Sequence, residues 1–202
     1  MPIFHQQQVG PFTRLGIWKI EETEAYFKAN VPQHRDVTHP HKRLQHLAGR
    51  FLLQFLFPDF PFELIQIADT RKPFLPEEQY HFSISHCGNY AAAIVSQKRR
   101  VGIDVELVRP LVAQLIPKFL SAAERHMLFH STQLEQSTLM WSAKEAVFKW
   151  YGDGAVDFRQ HIQLQRIHEG SETIDCFFAK TGEELMVHYR VFDRLVLAWV
   201  VT

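Results

Sequence analysis

This chain has little cysteine, no excess of either charge and no long apolar run. Only Cys87 and Cys176 occur in 202 residues. Two isolated thiols build neither a disulfide framework nor a zinc site, which fits a reduced, intracellular protein. The 22 Lys and Arg balance 22 Asp and Glu, so no overall positive field draws in nucleic acid or an anionic membrane. The longest clean apolar run, Leu195 to Val201, is far short of the roughly 20 residues that span a bilayer. The first twenty residues are interrupted by Gln6 to Gln8, Pro11 and Arg14, so no secretory signal is expected there. A soluble, cytoplasmic, monomeric protein without nucleic-acid or membrane partners is the expectation. What is present is a 46% hydrophobic composition, ample for the core of one domain or two small ones.

The order of elements suggests two. Phe12 to Ile20 reads as a strand and Glu21 to Lys28 as a short helix. Thr38-His39-Pro40-His41 is a helix start, followed by an apolar stripe at Leu44, Leu47, Ala48, Phe51, Leu52, Phe55 and Leu56, closed by Pro58. Phe62 to Ala68 reads as a strand. The stiff Arg71-Lys72-Pro73 loop comes next, then His81 to His86 and Tyr90 to Ser96 as a hairpin turned at Gly88-Asn89. Past Pro110 and Pro117 the sequence turns helical: Ser121 to Glu124 is a capping box, and a helix over roughly 133–151 stops at Gly152. Three strands are expected in the tail, over 173–179, 185–191 and 195–201. Each half thus offers a long helix and consecutive antiparallel strands. The expected fold is α+β, with two similar lobes over residues 1–100 and 101–202 and a seam near 97–110.

At that seam lies Val101-Gly102-Ile103-Asp104-Val105-Glu106. On a strand Asp104 and Glu106 share one face while Ile103 and Val105 take the other. Two carboxylates so placed repel unless a cation or proton intervenes. Mg²⁺ suits such hard oxygens, and a solvated acidic face paired with Arg or Lys is the alternative. In the second long helix Glu145 and Lys149 stand four residues apart on one face. They make either a surface ion pair or a third carboxylate with a phosphate-binding cation.

Taken in order, Lys72-Pro73, Phe82-Ser83-Ile84-Ser85-His86, Gly102-Ile103-Asp104-Val105-Glu106 and Trp141-Ser142-Ala143-Lys144-Glu145-Ala146-Val147-Phe148-Lys149 resemble the 4′-phosphopantetheinyl transferases. The longer single-chain branch typified by the surfactin-synthetase activator is the nearer likeness. The resemblance covers residues 71–154, with the flanks alike only in length and coarse pattern. It implies a cleft between pseudo-symmetric lobes holding coenzyme A and Mg²⁺. It also implies transfer of the phosphopantetheine arm to a serine of an acyl or peptidyl carrier protein, releasing adenosine 3′,5′-bisphosphate. By motif, Asp104, Glu106 and Glu145 are metal ligands and Lys144 and Lys149 meet phosphates; the general base is Glu145, directly or through a metal-bound water, with Glu124 the alternative. Lys72, Pro73, Ser85 and His86 hold the nucleotide end, and Arg43 or Arg50 meets the 3′-phosphate. Cys87 and Arg71 depart from the family pattern. Glu124 is read both as a cap and as a glutamate tied to the site. A coenzyme A- or carrier-binding protein without catalysis, or another Mg²⁺-dependent phosphotransferase, is the rival reading.

Overall fold

A computed structural model describes residues 3–32, 36–129 and 132–202. The first part of the chain forms β1 (Ile3–Gly10), β2 (Thr13–Lys19), α1 (Glu24–Asn30) and α2 (Pro40–Leu56). A 3-10 turn over Phe62–Leu64 leads into the two-residue strands β3 (Gln66–Ile67) and β4 (Pro73–Phe74), then β5 (His81–Cys87) and β6 (Tyr90–Ser96). The second part contains β7 (Val101–Leu107), α3 (Pro110–Phe119), α4 (Ala122–Arg125) and α5 (Gln133–Tyr151). It closes with β8 (Ile162–His168), β9 (Thr173–Phe178), β10 (Glu183–Phe192) and β11 (Leu195–Val201). The fold is α+β. Two antiparallel sheets, ordered β1-β2-β6-β5 and β7-β11-β10-β9-β8, each carry one long helix.

Local chemistry accounts for the two helices. In α2 the His39 side chain accepts from the Lys42 amide and Pro40 stands at the first helical position, where its missing N–H costs nothing. Gly49 lets the helix settle on β5, since a β-carbon there would press into Ile84. Helix α5 ends at Gly152 in the left-handed conformation, φ 79°, which glycine adopts without strain. The expected strand over 62–68 is instead the 3-10 turn and β3. Helix α3, not expected before residue 121, forms because Pro110 initiates it and Pro117 comes only two residues before its end, where few backbone bonds are lost.

Among the described residues three apolar cores result. One lies under α2 and includes Trp18, Leu47, Phe82, Ala93 and Val95. A second lies under α5 and includes Met140, Val147, Trp150, Val187 and Ala198. The third joins the sheets: Leu15, Ile17, Ala92 and Ile94 from the first meet Val101, Ile103, Val105, Leu197 and Trp199 from the second. Strand β6 is therefore buried on both faces, which is why its sequence Ala91-Ala92-Ala93-Ile94-Val95 does not alternate with polar residues. Burying apolar side chains on both sides fixes the edges β5 and β7 against one another. Across that edge the Ile103 amide donates to Ser83 Oγ at 3.2 Å.

Candidate active site

The face of β7 opposite the shared core looks at α5. Gly102, Asp104 and Glu106 occupy it, as strand alternation requires. A β-carbon on Gly102 would overlap the Ala146 carbonyl oxygen and the Trp150 amide, so the absence of a side chain is what brings helix and strand together. That approach puts Lys149, in the last turn of the helix, onto Asp104. Its ammonium lies 2.7 Å from Asp104 Oδ1 and 2.8 Å from Ser85 Oγ, and the Ser85 hydroxyl donates to the same Oδ1 at 2.7 Å. Asp104 is 3% exposed. Its other oxygen, Oδ2, is buried with no hydrogen-bond partner among the described residues.

Glu106 and Glu145 complete a negative cluster. Burial, reinforced by the Asp104 charge, pushes Glu106 up to about 7, against the opposing pull of Lys149 and a hydrogen bond from Trp141. Burial and Asp104 likewise push Glu145 up to about 7, with Lys149 opposing and Glu106 reinforcing the rise. Three carboxylates therefore feel each other across β7 and α5, balanced by the Lys149 ammonium and, more weakly at Glu106, by the Arg109 guanidinium. Such crowding raises proton affinity and equally favours a cation. Beside Lys149, a 220 Å³ pocket is lined by Lys72, Pro73, Ser83, Ile84, Phe148 and Gly152. On its other side Glu145 borders a 540 Å³ groove with Lys118, Phe119, Trp141, Phe158 and Arg159.

The sequence pattern of the 4′-phosphopantetheinyl transferase superfamily matches residues 100–200, the half that carries Asp104, Glu106, Glu145 and Lys149. The 4′-phosphopantetheinyl transferase AcpT of Escherichia coli is 31% identical over 137 residues, 63% of this chain and 70% of the relative. The chain belongs to the 4′-phosphopantetheinyl transferase superfamily. Two relatives named enterobactin synthase component D are similar too. That of Shigella flexneri is 32% identical over 162 residues, 77% of this chain and 75% of the relative. That of Salmonella typhi is 32% identical over 151 residues, 70% of this chain and 64% of the relative. Membership makes the chain an enzyme of phosphopantetheinyl transfer, a family for which coenzyme A is a substrate. No helix among the described residues is long and apolar enough to cross a membrane.

Within this transferase the remaining motif residues fall in different places. Lys144, expected at the phosphates, is fully buried between α5 and β8, and that expectation is corrected. Its ammonium donates to the carbonyls of Phe158 and Ile162, each at 2.7 Å, and pairs with Glu124 at 2.6 Å. Glu124 is saturated in turn. Its Oε2 accepts from the Ser121 amide at 2.7 Å, closing the capping box, while Oε1 takes the Leu164 amide at 2.9 Å and Lys144. The pair ties α4, α5 and β8, and burial still holds Lys144 below the ordinary lysine range despite Glu124. Helical spacing carried this signal: Lys144 shares its face with Met140 and Val147, both fully buried.

The expected nucleotide residues are dispersed. Lys72 donates to the Trp150 carbonyl at 3.3 Å, and Pro73 opens β4 beside it. His86 is exposed on β5, on the face opposite Ser85. Arg43 pairs with Glu24 at 2.8 Å and donates to the Val37 and Thr38 carbonyls, so it braces the entry to α2. Arg50 is buried in α2 at 7% exposure. Cys87 is buried, and burial followed by the Glu106 and Asp104 charges pushes its thiol up to about 12, so it is no nucleophile at neutral pH. Sequence reasoning gave no role to Trp141, which donates to Glu106, or to Gly102, which admits the helix.

Among the described residues no group of three His, Cys, Asp or Glu is arranged to hold a metal ion, and Lys149 takes one Asp104 oxygen. The donor set nevertheless fits a hard divalent cation. It offers carboxylate oxygens only, one of them the orphaned Asp104 Oδ2, and a surplus of negative charge.

Proposed function

We propose that this enzyme transfers the 4′-phosphopantetheine arm of coenzyme A to a serine of an acyl or peptidyl carrier protein, with Mg²⁺ and release of adenosine 3′,5′-bisphosphate. The observation that carries the reading is the joining of Asp104, Glu106, Glu145 and Lys149 at the meeting of β7 and α5, beside a pocket open to the Lys72-Pro73 loop. Asp104, Glu106 and Glu145 would hold Mg²⁺, which when bound neutralises pyrophosphate charge. Lys149 supplies a further cation where charge accumulates on the departing phosphate. A Lys149 released from Asp104 can turn to that phosphate without moving its backbone, since its stem is long and unbranched.

The carrier serine oxygen forms the new bond to phosphorus, and the bond to the adenosine bisphosphate oxygen breaks. The serine proton goes to Glu145. What suits Glu145 to this is its position beside the reacting hydroxyl, since a bound cation would offset the burial and the Asp104 repulsion that lift the metal-free carboxylate to about 7. Ser85 orients Lys149 and Asp104 through its hydroxyl. The nucleotide end is assigned to the Lys72-Pro73 loop, with His86 and Arg50 on the α2 side of β5. Arg43, engaged with Glu24, is a weaker candidate than Arg50 for the 3′-phosphate.

Mass spectrometry of an apo carrier protein incubated with the enzyme, coenzyme A and Mg²⁺ tests the reading. A gain of the phosphopantetheine mass that excess EDTA abolishes is expected. Coenzyme A binding without mass gain, or hydrolysis of coenzyme A alone, would replace it with one of the rival readings.

A further inference from the structure

The last turn of α5 is gripped from outside its own lobe. Gly152 turns the chain away in the left-handed conformation, leaving the final carbonyls without intrahelical partners. Three consecutive carbonyls are then met by three side chains. Lys72 donates to Trp150 at 3.3 Å, the Arg100 guanidinium to Tyr151, and the Thr70 hydroxyl to Gly152 at 2.9 Å. Two of these donors are cations at the negative end of the helix dipole, where positive charge is stabilising.

Each donor is itself held. Arg100 lies over the Trp150 ring at 5.0 Å and within 3.9 Å of Asp153. The loop 68–72 is closed by the Ala68 amide on the Lys72 carbonyl at 2.9 Å and the Arg71 amide on the Ala68 carbonyl at 2.8 Å. The Lys72 stem crosses Gly152 so closely that a β-carbon there would meet its Cδ at 2.6 Å. Burial and Arg100 lower Lys72 to about 8, which leaves it mostly protonated and donating at neutral pH. Lys149 lies on this same last turn.

We propose that Thr70, Lys72 and Arg100 form an inter-lobe latch on the C-terminal turn of α5, with Arg100 as a positioning residue that holds Lys149 against Asp104 and Ser85. The latch couples the loop lining the nucleotide-side pocket to the helix that carries Glu145 and Lys149. It rests on the reading of Lys149 as the phosphate-side cation. A misplacement of about 1 Å at a reacting group costs up to ~100-fold in rate, so a small drift of the last turn is enough to matter.

The test is a double-mutant cycle with Arg100→Ala and Lys149→Ala, read as the single-turnover rate with enzyme and coenzyme A in saturating excess over a limiting carrier protein. Arg100→Ala is expected to slow transfer about 10-fold in the native background and less than about 2-fold with Lys149→Ala, because a group that acts through Lys149 has nothing left to position. Arg100→Lys should recover part of the rate. Thr70→Val, which removes one neutral donor, should show the same dependence on background at smaller size, and it serves if Arg100→Ala fails to fold. Equal slowing in both backgrounds, or none, would overturn the latch. A Lys149→Ala enzyme as fast as the native one would instead remove the role given to Lys149.

Discussion

The charge cluster at β7 and α5 makes a quantitative demand on stability, and Glu106→Gln exposes it. Glu106 is raised from 4.5 to about 7, so the folded state binds its proton more tightly than the unfolded chain does. Stability from this group is therefore full below about pH 4.5, declines as pH rises through 7, and then levels off. At about 1.4 kcal/mol per tenfold in affinity, the ionised carboxylate costs the folded protein up to roughly 3 kcal/mol above pH 7. Partial exposure and the shared repulsion with Asp104 and Glu145 bring the expected effect to about 1–3 kcal/mol. Glutamine keeps the shape and can still accept from Trp141, but it carries no charge. In EDTA at pH 8, Glu106→Gln should therefore be more stable than the native chain, with a melting point higher by about 2–4 °C per kcal/mol. Its stability should also lose the Glu106 share of the decline between pH 5 and 8, while the share from Glu145, also raised to about 7, remains. Urea titrations followed by tryptophan fluorescence at several pH values supply both numbers. A variant that is less stable than native at pH 8, or that keeps the full pH slope, would refute the claim that these carboxylates strain the metal-free fold.

Three further outcomes are expected. Glu145→Gln should lower kcat by about 10²–10⁴ even at saturating Mg²⁺; full recovery in a metal titration would make Glu145 a ligand only. Glu124→Gln strands the buried Lys144 ammonium and should cost about 3–5 kcal/mol, and replacing both with Leu and Met should recover little of that loss, because the Ser121 and Leu164 amides and the Phe158 and Ile162 carbonyls lose their partners; chemical denaturation of the three proteins beside their kcat decides between a structural pair and a catalytic glutamate. Gly102→Ala should destabilise the fold by about 1–3 kcal/mol through overlap with the α5 backbone and lower transfer further than the stability loss explains, as a comparison of melting point with kcat would show.

Much of the architecture was legible because it is written in local signals. Helix α5 ends at Gly152 because the left-handed turn there is a property of one residue and its neighbours, and the Ser121–Glu124 box is likewise complete within four residues. Strand alternation alone set Asp104 and Glu106 on one face and Ile103 and Val105 on the other. The polar Gln6-Gln7-Gln8 run inside β1 carried no such signal: its backbone pairs with β2 whatever its side chains prefer, and only the neighbouring strand makes it a strand. The same limit applies to the site. The motif spacing brought Glu145 and Lys149 under suspicion, yet Lys144 beside them turns to Glu124, and Lys72 turns to the end of a helix some eighty residues away. Sequence fixes which groups a helix or strand can present on each face. Which partner meets that face depends on how the sheets share a core and how closely Gly102 lets α5 descend, and those are decided only when distant segments compete for the same buried space.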